Sequence, residues 1–156
     1  MPTEMKPTFK EFERLAIREI TRRLNESNTA KQFGFLFREV GPGRVVVGMR
    51  VSKRHLQVHG VVHGGILAAL ADTAGGMAVY LRLPPRSRVA TVEMKINYLE
   101  AVARGEVVAD AQLVRLGRNL AVVDCDLFDD AQRIVAKALM TFAVISRGRK
   151  RKGRRD

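Results

Sequence analysis

The sequence predicts an α+β fold in which an antiparallel sheet wraps around one central, buried helix. Three observations support this. A long segment of high helix propensity and almost uniform apolarity, 65–83, lies mid-chain and is followed by Pro84-Pro85. Two strand-like runs precede this segment, and four follow it with short turns between them. A helix that is apolar all round must be enclosed by the other elements, and short connections favour antiparallel neighbours.

Hydrophobic periodicity assigns the remaining elements. An additional N-terminal helix is predicted over about 8–25, because apolar residues recur there every three or four positions with charged residues between them. A hairpin of two strands is predicted over 32–40 and 44–51, with a turn at Gly41-Pro42-Gly43. The last three strands are predicted near 105–116, 119–128 and 133–145, separated by turns at Gly117-Arg118 and Asp129-Asp130.

The segment 89–98 predicts a strand with two different faces. Its even positions are apolar, whereas its odd positions from Thr91 onwards are polar. Because side chains alternate along a strand, we expect one face to be buried and the other to face solvent. Thr91 belongs to the polar set.

Length and composition indicate a single domain over 1–146. The chain has 156 residues, of which 46% are hydrophobic, and this is enough for one sizeable core. The first residues, MPTEMKPTFK, lack the apolar stretch of a secretory signal, and no uninterrupted apolar run approaches the roughly 18 residues of a membrane span, so we expect a cytoplasmic protein without a membrane partner. The one cysteine, Cys125, lies in an apolar strand pattern and is expected to be a core residue.

The net charge of +12 is unevenly distributed. Half of this excess lies in the last ten residues, 147–156, whose sequence is RGRKRKGRRD. Such a segment has nothing to bury and repels itself, so a disordered tail is expected. It can attract nucleic acid or other polyanions weakly, or serve only to keep the chain soluble, because short basic runs are not specific.

Two features of the central helix indicate a catalytic site. Its start at Gly64-Gly65 leaves backbone N–H groups without partners inside the helix, and such an end favours an anion, including the oxyanion of a carbonyl under attack. Asp72 is the only charged residue between His63 and Arg82. A carboxylate in so apolar a helix must reach solvent on a polar stripe, find a partner or act in the chemistry.

The spacing of these two features constrains their cooperation. Asp72 follows Gly65 by seven residues, so the two lie on the same side of the helix about 10 Å apart along its axis. One small carbonyl group cannot touch both. If they act together, Asp72 must face the glycine turn of a second subunit.

The motif His63-Gly64-Gly65, followed after six residues by Asp72-Thr73-Ala74 and then by the strand ATVEMKINYL, resembles the PaaI-type thioesterases of the hot-dog superfamily. The resemblance covers about 33–145. It implies a hot-dog fold, an active site shared by two subunits of a homodimer that can pair into a homotetramer, and no cofactor. The implied activity is hydrolysis of aryl- or fatty-acyl-CoA thioesters to a free acid and CoA.

The resemblance also implies a role for each matching residue. Gly64 would donate its N–H to the oxyanion with Gly65 beside it, His63 would shape the turn, and Asp72 would act as general base or nucleophile. The further assignments are Gln57, which stands six residues before His63 where the family often has Asn, and Thr91, whose hydroxyl could orient the attacking water.

Other residues and functions remain open at this stage. Arg118, in a predicted hairpin turn, is a candidate contact for the phosphates of CoA. Phe33, Phe35 and Tyr80 are candidates for the acyl pocket, although plain core packing suits them equally well. His55, His59 and His63 recur every fourth position, but the glycines and valines around them argue against a helix, so no metal site is expected and the first two are assigned to loops.

Three alternative functions were weighed against the thioesterase. A hot-dog protein that binds acyl-CoA without hydrolysing it, as a sensor or carrier, would have no need of Asp72 and Thr91. A nucleic-acid-binding module would suit the high pI, but aromatic residues make up only 6% of the chain. A hot-dog dehydratase would want an Asp/His pair at the helix start, whereas Asp72 stands alone further along.

Overall fold

The computed structural model describes residues 9–84 and 87–145. Three helices and six strands follow one another in the order helix, helix, two strands, helix, four strands, with a short 3-10 helix at Lys53–His55. The helices are α1 (Phe9–Glu26), α2 (Asn28–Phe33) and α3 (Gly64–Tyr80). The strands are β1 (Phe35–Gly41), β2 (Arg44–Arg50), β3 (Arg88–Tyr98), β4 (Glu106–Leu116), β5 (Leu120–Phe128) and β6 (Ile134–Ile145).

The six strands form one antiparallel sheet around α3. Their spatial order is β1-β2-β4-β5-β6-β3, so β1 and β3 are the edge strands. All five neighbouring pairs are antiparallel. The central helix contacts all six strands, which is possible only if the sheet curves around it. This is the hot-dog arrangement, and the predicted fold class is confirmed.

The core lies between α3 and the concave face of the sheet. On the helix side it is built from small and branched residues, Leu67, Leu70, Ala71, Ala74, Gly75, Ala78 and Val79. The alternate residues of β4, β5 and β6 that face α3 are fully buried. Cys125 belongs to this set, and burial raises the pKa of its thiol well above the ordinary value. It is a core residue, as expected.

The predicted strand over 32–40 begins too early. Residues up to Phe33 form α2, and β1 starts only at Phe35. The Ser27 hydroxyl accepts the Ala30 N–H at the start of α2, and Gly34 ends it in the left-handed conformation with φ 68°. This pair of caps stabilises a one-and-a-half-turn helix whose composition alone looks like a strand.

The central helix is also shorter than predicted. It ends at Tyr80, because the chain turns through 81–83 on hydrogen bonds from Arg82 N–H to the Val79 carbonyl and from Leu83 N–H to the Tyr80 carbonyl. A residue before proline avoids the helical conformation, so the helix has to end ahead of Pro84.

A bulge in β3 corrects the predicted faces of that strand. The register with β6 shifts between Thr91 and Glu93, leaving Val92 as the extra residue. Thr91 lies opposite Phe142 and Met94 lies opposite Met140, both of which are core residues. Residues directly opposite each other share a face, so Thr91 lies on the same inner face as Met94. The expectation that Thr91 lies on the solvent face is therefore wrong.

Both terminal stretches lie partly outside the described residues. The predicted basic tail, 147–156, is among the residues that are not described. Within 9–84 and 87–145, none of the helices combines the length and the apolarity needed to cross a membrane.

Candidate active site

Asp72 and Thr91 meet on the inner face of the sheet. Asp72 lies in the third turn of α3, and the Thr91 hydroxyl on β3 donates a hydrogen bond of 2.7 Å to its Oδ1. The bulge at Val92 makes this contact possible, because it turns Thr91 towards the helix. Thr91 therefore contacts the carboxylate directly, and the water-orienting role that the resemblance implies for its hydroxyl stays a prediction.

The Asp72 side chain faces a cavity of about 600 Å³. The cavity lies between α3, the α1–α2 junction, the edge strands β1 and β3, and β6. Its walls combine apolar side chains with hydroxyl groups, the guanidinium group of Arg88 and the one carboxylate. It is lined by Leu24, Ser27, Thr29, Phe37, Asp72, Thr73, Gly76, Met77, Tyr80, Ser87, Arg88, Val89, Thr91 and Phe142. This volume suits a small organic ligand.

The start of α3 presents one free backbone donor. His63 is the N-cap, and its Nδ1 accepts the Gly65 N–H at 2.9 Å. In the part of the chain that the structure describes, the Gly64 N–H has no acceptor. The Tyr98 hydroxyl donates to the Gly64 carbonyl at 2.9 Å, which ties the end of β3 to this turn. Gly64 is thus the donor that remains available, and Gly65 is engaged by His63.

The two parts of the site lie apart within one chain. Gly64 and Asp72 are eight residues apart on one helix, about 12 Å along its axis. Gly64 borders a second cavity of about 340 Å³, which it shares with Leu67, Tyr98 and Val102. The cavity at Asp72 does not include Gly64. The structure of one chain therefore brings Asp72 to Thr91 but not to Gly64.

The loop before α3 is organised differently from the prediction. The Gln57 Oε1 accepts the His59 N–H at 2.5 Å, so this carboxamide stabilises its own turn and does not line the cavity of Asp72. His55 is not an ordinary loop residue, because it is 1% exposed. Its Nδ1 accepts the Ser52 N–H and its Nε2 lies 2.8 Å from the Phe33 carbonyl. It links the loop to the end of α2.

The remaining candidates divide between the cavity and the rest of the molecule. Tyr80 lines the cavity, whereas Phe33 and Phe35 stack on each other with centroids 5.3 Å apart and lie outside it. Phe37 and Phe142 provide the aromatic walls that the sequence did not single out. Arg118 is exposed in the β4–β5 turn and lines neither cavity, so its contact with CoA stays a prediction.

Residues 9–84 and 87–145 contain no set of side chains placed to bind a metal ion. No three His, Cys, Asp or Glu side chains come close enough together there to hold an ion. His55 in particular has both ring nitrogens engaged with the chain.

The model of the thioesterase superfamily matches residues 59–136, half of the chain, and this range contains His63, Gly64, Asp72 and Thr91. The chain belongs to the thioesterase superfamily. Its membership, with the PaaI-like hot-dog fold, indicates a thioester hydrolase.

Two relatives show how far the similarity in sequence extends. The Haemophilus influenzae protein named "Putative esterase" is 32% identical over 121 residues, which cover 77% of this chain and 88% of that protein. The 1,4-dihydroxy-2-naphthoyl-CoA hydrolase of Escherichia coli is 28% identical over 125 residues, which cover 78% of this chain and 92% of the hydrolase.

Solved structures agree with the fold. Thioesterase HI1161 from Haemophilus influenzae superposes with a TM-score of 0.77 at 26% identity and covers 97% of this chain and 99% of its own. A mutant of the phenylacetic acid degradation protein PaaI from Thermus thermophilus gives 0.69 at 29% identity and covers 75% of this chain and 98% of its own. The resemblance to PaaI-type thioesterases is thereby confirmed.

Proposed function

We propose that this protein hydrolyses acyl-CoA thioesters to a free acid and CoA, with Asp72 as the catalytic carboxylate. The observation that carries the proposal is the Asp72–Thr91 pair at the wall of a cavity large enough for an acyl group. Thr91 occupies Oδ1 of the carboxylate, and among the described residues no other side chain binds Asp72. Its Oδ2 is therefore available to a water molecule or to the substrate.

The proposed active unit is a homodimer that pairs two copies of β3. This strand is a sheet edge of eleven residues, and an uncovered edge presents unpaired N–H and C=O groups. Contacts at its two ends mark the two halves of the site, because Thr91 holds Asp72 and Tyr98 holds Gly64. Antiparallel pairing about a two-fold axis near the middle of β3 would bring the Asp72 end of one copy to the Gly64 end of the other.

In such a dimer the chemistry would divide between subunits. The Gly64 N–H at the positive end of α3 would stabilise the developing oxyanion of the thioester carbonyl. Asp72 of the other copy would remove a proton from water as the water oxygen adds to the carbonyl carbon, and the C–S bond would then break with the proton passing to the CoA sulfur. Direct attack by Asp72 is the alternative, through an anhydride that water opens. In a single turnover in ¹⁸O-water, an unlabelled acid with ¹⁸O in the Asp72 carboxylate would identify direct attack followed by opening of the anhydride at the Asp72 carbonyl.

The similarity to the naphthoyl-CoA hydrolase supports an aromatic or other bulky acyl group. We infer that this group lies in the cavity beside Asp72, because the walls there include Phe37, Met77 and Phe142. Pairing of dimers into tetramers, as the resemblance implies, remains part of the proposal.

The test is release of free CoA thiol from a panel of aryl-, short-chain and long-chain acyl-CoA substrates. We expect Asp72→Asn to lower kcat by roughly 10²- to 10⁴-fold, the usual contribution of a general base. The matched control is Asp124→Asn, because Asp124 pairs with Lys137 on the exposed side of the sheet and surface pairs contribute little. Equal rates for wild type and Asp72→Asn would disprove the mechanism. Saturable binding of acyl-CoA without thiol release would favour the alternative function, a sensor or carrier that binds acyl-CoA without hydrolysing it.

A further inference from the structure

Two adjacent glycines, Gly75 and Gly76, lie in the interior of α3. Glycine is the least favourable residue in a helix interior after proline. Neither has a positive φ, so the backbone conformation does not require glycine at either position. Each of them therefore needs another physical reason.

Packing against the sheet provides that reason for Gly75. A Cβ added there would lie 2.7 Å from the Met140 Cε and 3.2 Å from the Phe142 Cζ, and both side chains are buried. A methyl group fits here only if the side chains of Met140 and Phe142 shift. Close packing against these two side chains of β6 accounts for Gly75.

The same reason does not apply to Gly76. Apart from its chain neighbours and the helix backbone, the atom nearest to its added Cβ would be the Phe142 Cε1 at 3.5 Å, which is an ordinary van der Waals distance. Gly76 instead lines the cavity of about 600 Å³ beside Asp72. It follows Asp72 by four residues, so both lie on one helix face, and a side chain at 76 would lean back towards the Asp72 turn.

We propose that Gly76 is a specificity-determining residue whose missing side chain keeps a flat slot open beside Asp72 for the ring of an aryl acyl group. The inference rests on the proposed function, because it assumes that the cavity holds the acyl part of the substrate. The slot is the part of the cavity next to the bare Cα of Gly76, and the apolar side chains of Phe37, Met77 and Phe142 line the same cavity.

The shape of the ligand decides what a methyl group at this position would do. An aromatic ring is rigid and needs the full width of the slot along its whole face. A straight alkyl chain can rotate its bonds and pass a single methyl group. Filling the space at Gly76 should therefore discriminate against rings far more than against chains of similar carbon number.

The experiment compares wild type, Gly76→Ala and Gly76→Val with benzoyl-CoA, hexanoyl-CoA and acetyl-CoA. We expect the ratio of kcat/KM for benzoyl-CoA to that for hexanoyl-CoA to fall roughly tenfold or more in Gly76→Ala, and further in Gly76→Val, since misfit by about one methylene commonly costs this much. The loss should appear mainly in KM for benzoyl-CoA. The melting temperature of Gly76→Ala should not fall, because alanine favours the helix.

Gly75→Ala is the matched control, with the same substitution one residue earlier. It tests the packing alone and should lower the melting temperature, because the Met140 and Phe142 side chains must shift to admit the methyl group. An unchanged ratio in both Gly76 variants, or an equal fall for all three substrates, would overturn the assignment of Gly76.

A binding measurement separates this inference from the proposed hydrolysis. If wild type cleaves none of the three thioesters, the proposed hydrolysis fails, and the same variants are compared by the Kd of benzoyl-CoA and hexanoyl-CoA. Selective weakening of benzoyl-CoA would then still support the slot at Gly76. Parallel changes of both Kd values would overturn it as well.

Discussion

Gly64 has no side chain, so it can contribute to catalysis only through its backbone. Two neighbouring side chains fix the turn in which it lies. The His63 imidazole takes the N–H of Gly65, and the Tyr98 ring packs against the other side of the turn. A Cβ at position 64 would lie 3.0 Å from the Tyr98 Cζ, so glycine is required here by close approach and not by its φ angle. The result is a single exposed N–H at the start of α3.

Comparison of Gly64→Ala with Gly64→Pro isolates this N–H. Both substitutions add the same Cβ next to Tyr98, but only proline removes the donor. Proline is well suited to the first helical position, and His63 already has the extended conformation that a residue before proline prefers, with φ −63° and ψ 131°. We expect kcat to be about 10²- to 10³-fold lower for the proline variant than for the alanine variant.

Thermal melting of both Gly64 variants serves as the control for folding. Similar melting temperatures with a large difference in kcat would assign the effect to the donor. Equal kcat values would show that Gly64 N–H does not stabilise the oxyanion.

His55 shows why single residues are hard to interpret from sequence. Its neighbours are polar and loop-like, yet the ring is buried and bonded on both nitrogens. The two partners, Ser52 and Phe33, lie three and 22 residues away. A local sequence pattern cannot predict a hydrogen-bond partner 22 residues away. The structural role of His55 is therefore evident only from the three-dimensional structure.

At the scale of elements, the predictions succeeded where one physical cause dominates. The central helix was predicted because a helix so long and so apolar must be enclosed by other elements, and the strand pattern provides a sheet to enclose it. The last four strands were predicted because alternation and tight turns agree. The start of β1 was misplaced because caps at Ser27 and Gly34 outweigh the strand-like composition around Phe33.

The proposed catalytic residues come from the motif, but their contacts could not be predicted from it. Asp72 and Thr91 were both selected, yet their hydrogen bond depends on a bulge that has no sequence signature in 89–98. The cavity walls Phe37 and Phe142 come from strands at opposite ends of the chain and could not be grouped by spacing. A glycine pair inside so apolar a helix is the signal in the sequence that could have pointed to the proposed slot at Gly76.

Helix α1 carries an ion-pair network with a defined pH dependence. Hydrogen bonds from Arg22 and then from Arg23 lower the pKa of Glu19 from 4.5 to about 2. A carboxyl whose pKa is lower in the folded state stabilises the fold above its unfolded pKa, and this contribution is lost as pH falls from about 4.5 towards 2. The Glu19 side chain is largely exposed, so solvent and salt weaken the effect.

Glu19→Gln should therefore lower the melting temperature slightly at pH 6 and by less as the pH falls towards 2. We expect the curves of melting temperature against pH for wild type and variant to converge as the solution becomes acidic. Titration of the Glu19 carboxyl by NMR provides the direct check. A Glu19 pKa near its ordinary value of 4.5 would contradict the network.

At the scale of the whole molecule, each active site should contain parts of two chains. A mixture of Asp72→Asn and Gly64→Pro proteins tests this without any structure of the dimer. In a hybrid dimer one site carries both changes, and the other combines a native Asp72 with a native Gly64. Random reassociation of equal amounts should restore about a quarter of wild-type activity, because half of the dimers are hybrids with one intact site.

The alternative arrangement gives a different result in the same mixture. If Asp72 and Gly64 of one chain acted together, every site would carry one of the two changes, and mixing would restore nothing. Native mass spectrometry of the same mixture is the control for subunit exchange, because about half of the dimers should then have the mass of the hybrid.

The bulge at Val92 also bears on how this strand can change through evolution. Before the bulge the odd-numbered residues of β3 face inwards, and after it the even-numbered residues do. A substitution at Val92 does not change this alternation, because its exposed side chain makes few contacts. Loss of the residue would restore a regular strand and either rotate the Thr91 hydroxyl away from Asp72 or displace the Tyr98 hydroxyl from Gly64. At the bulge of β3, the number of residues is therefore more tightly constrained than the identity of the side chain.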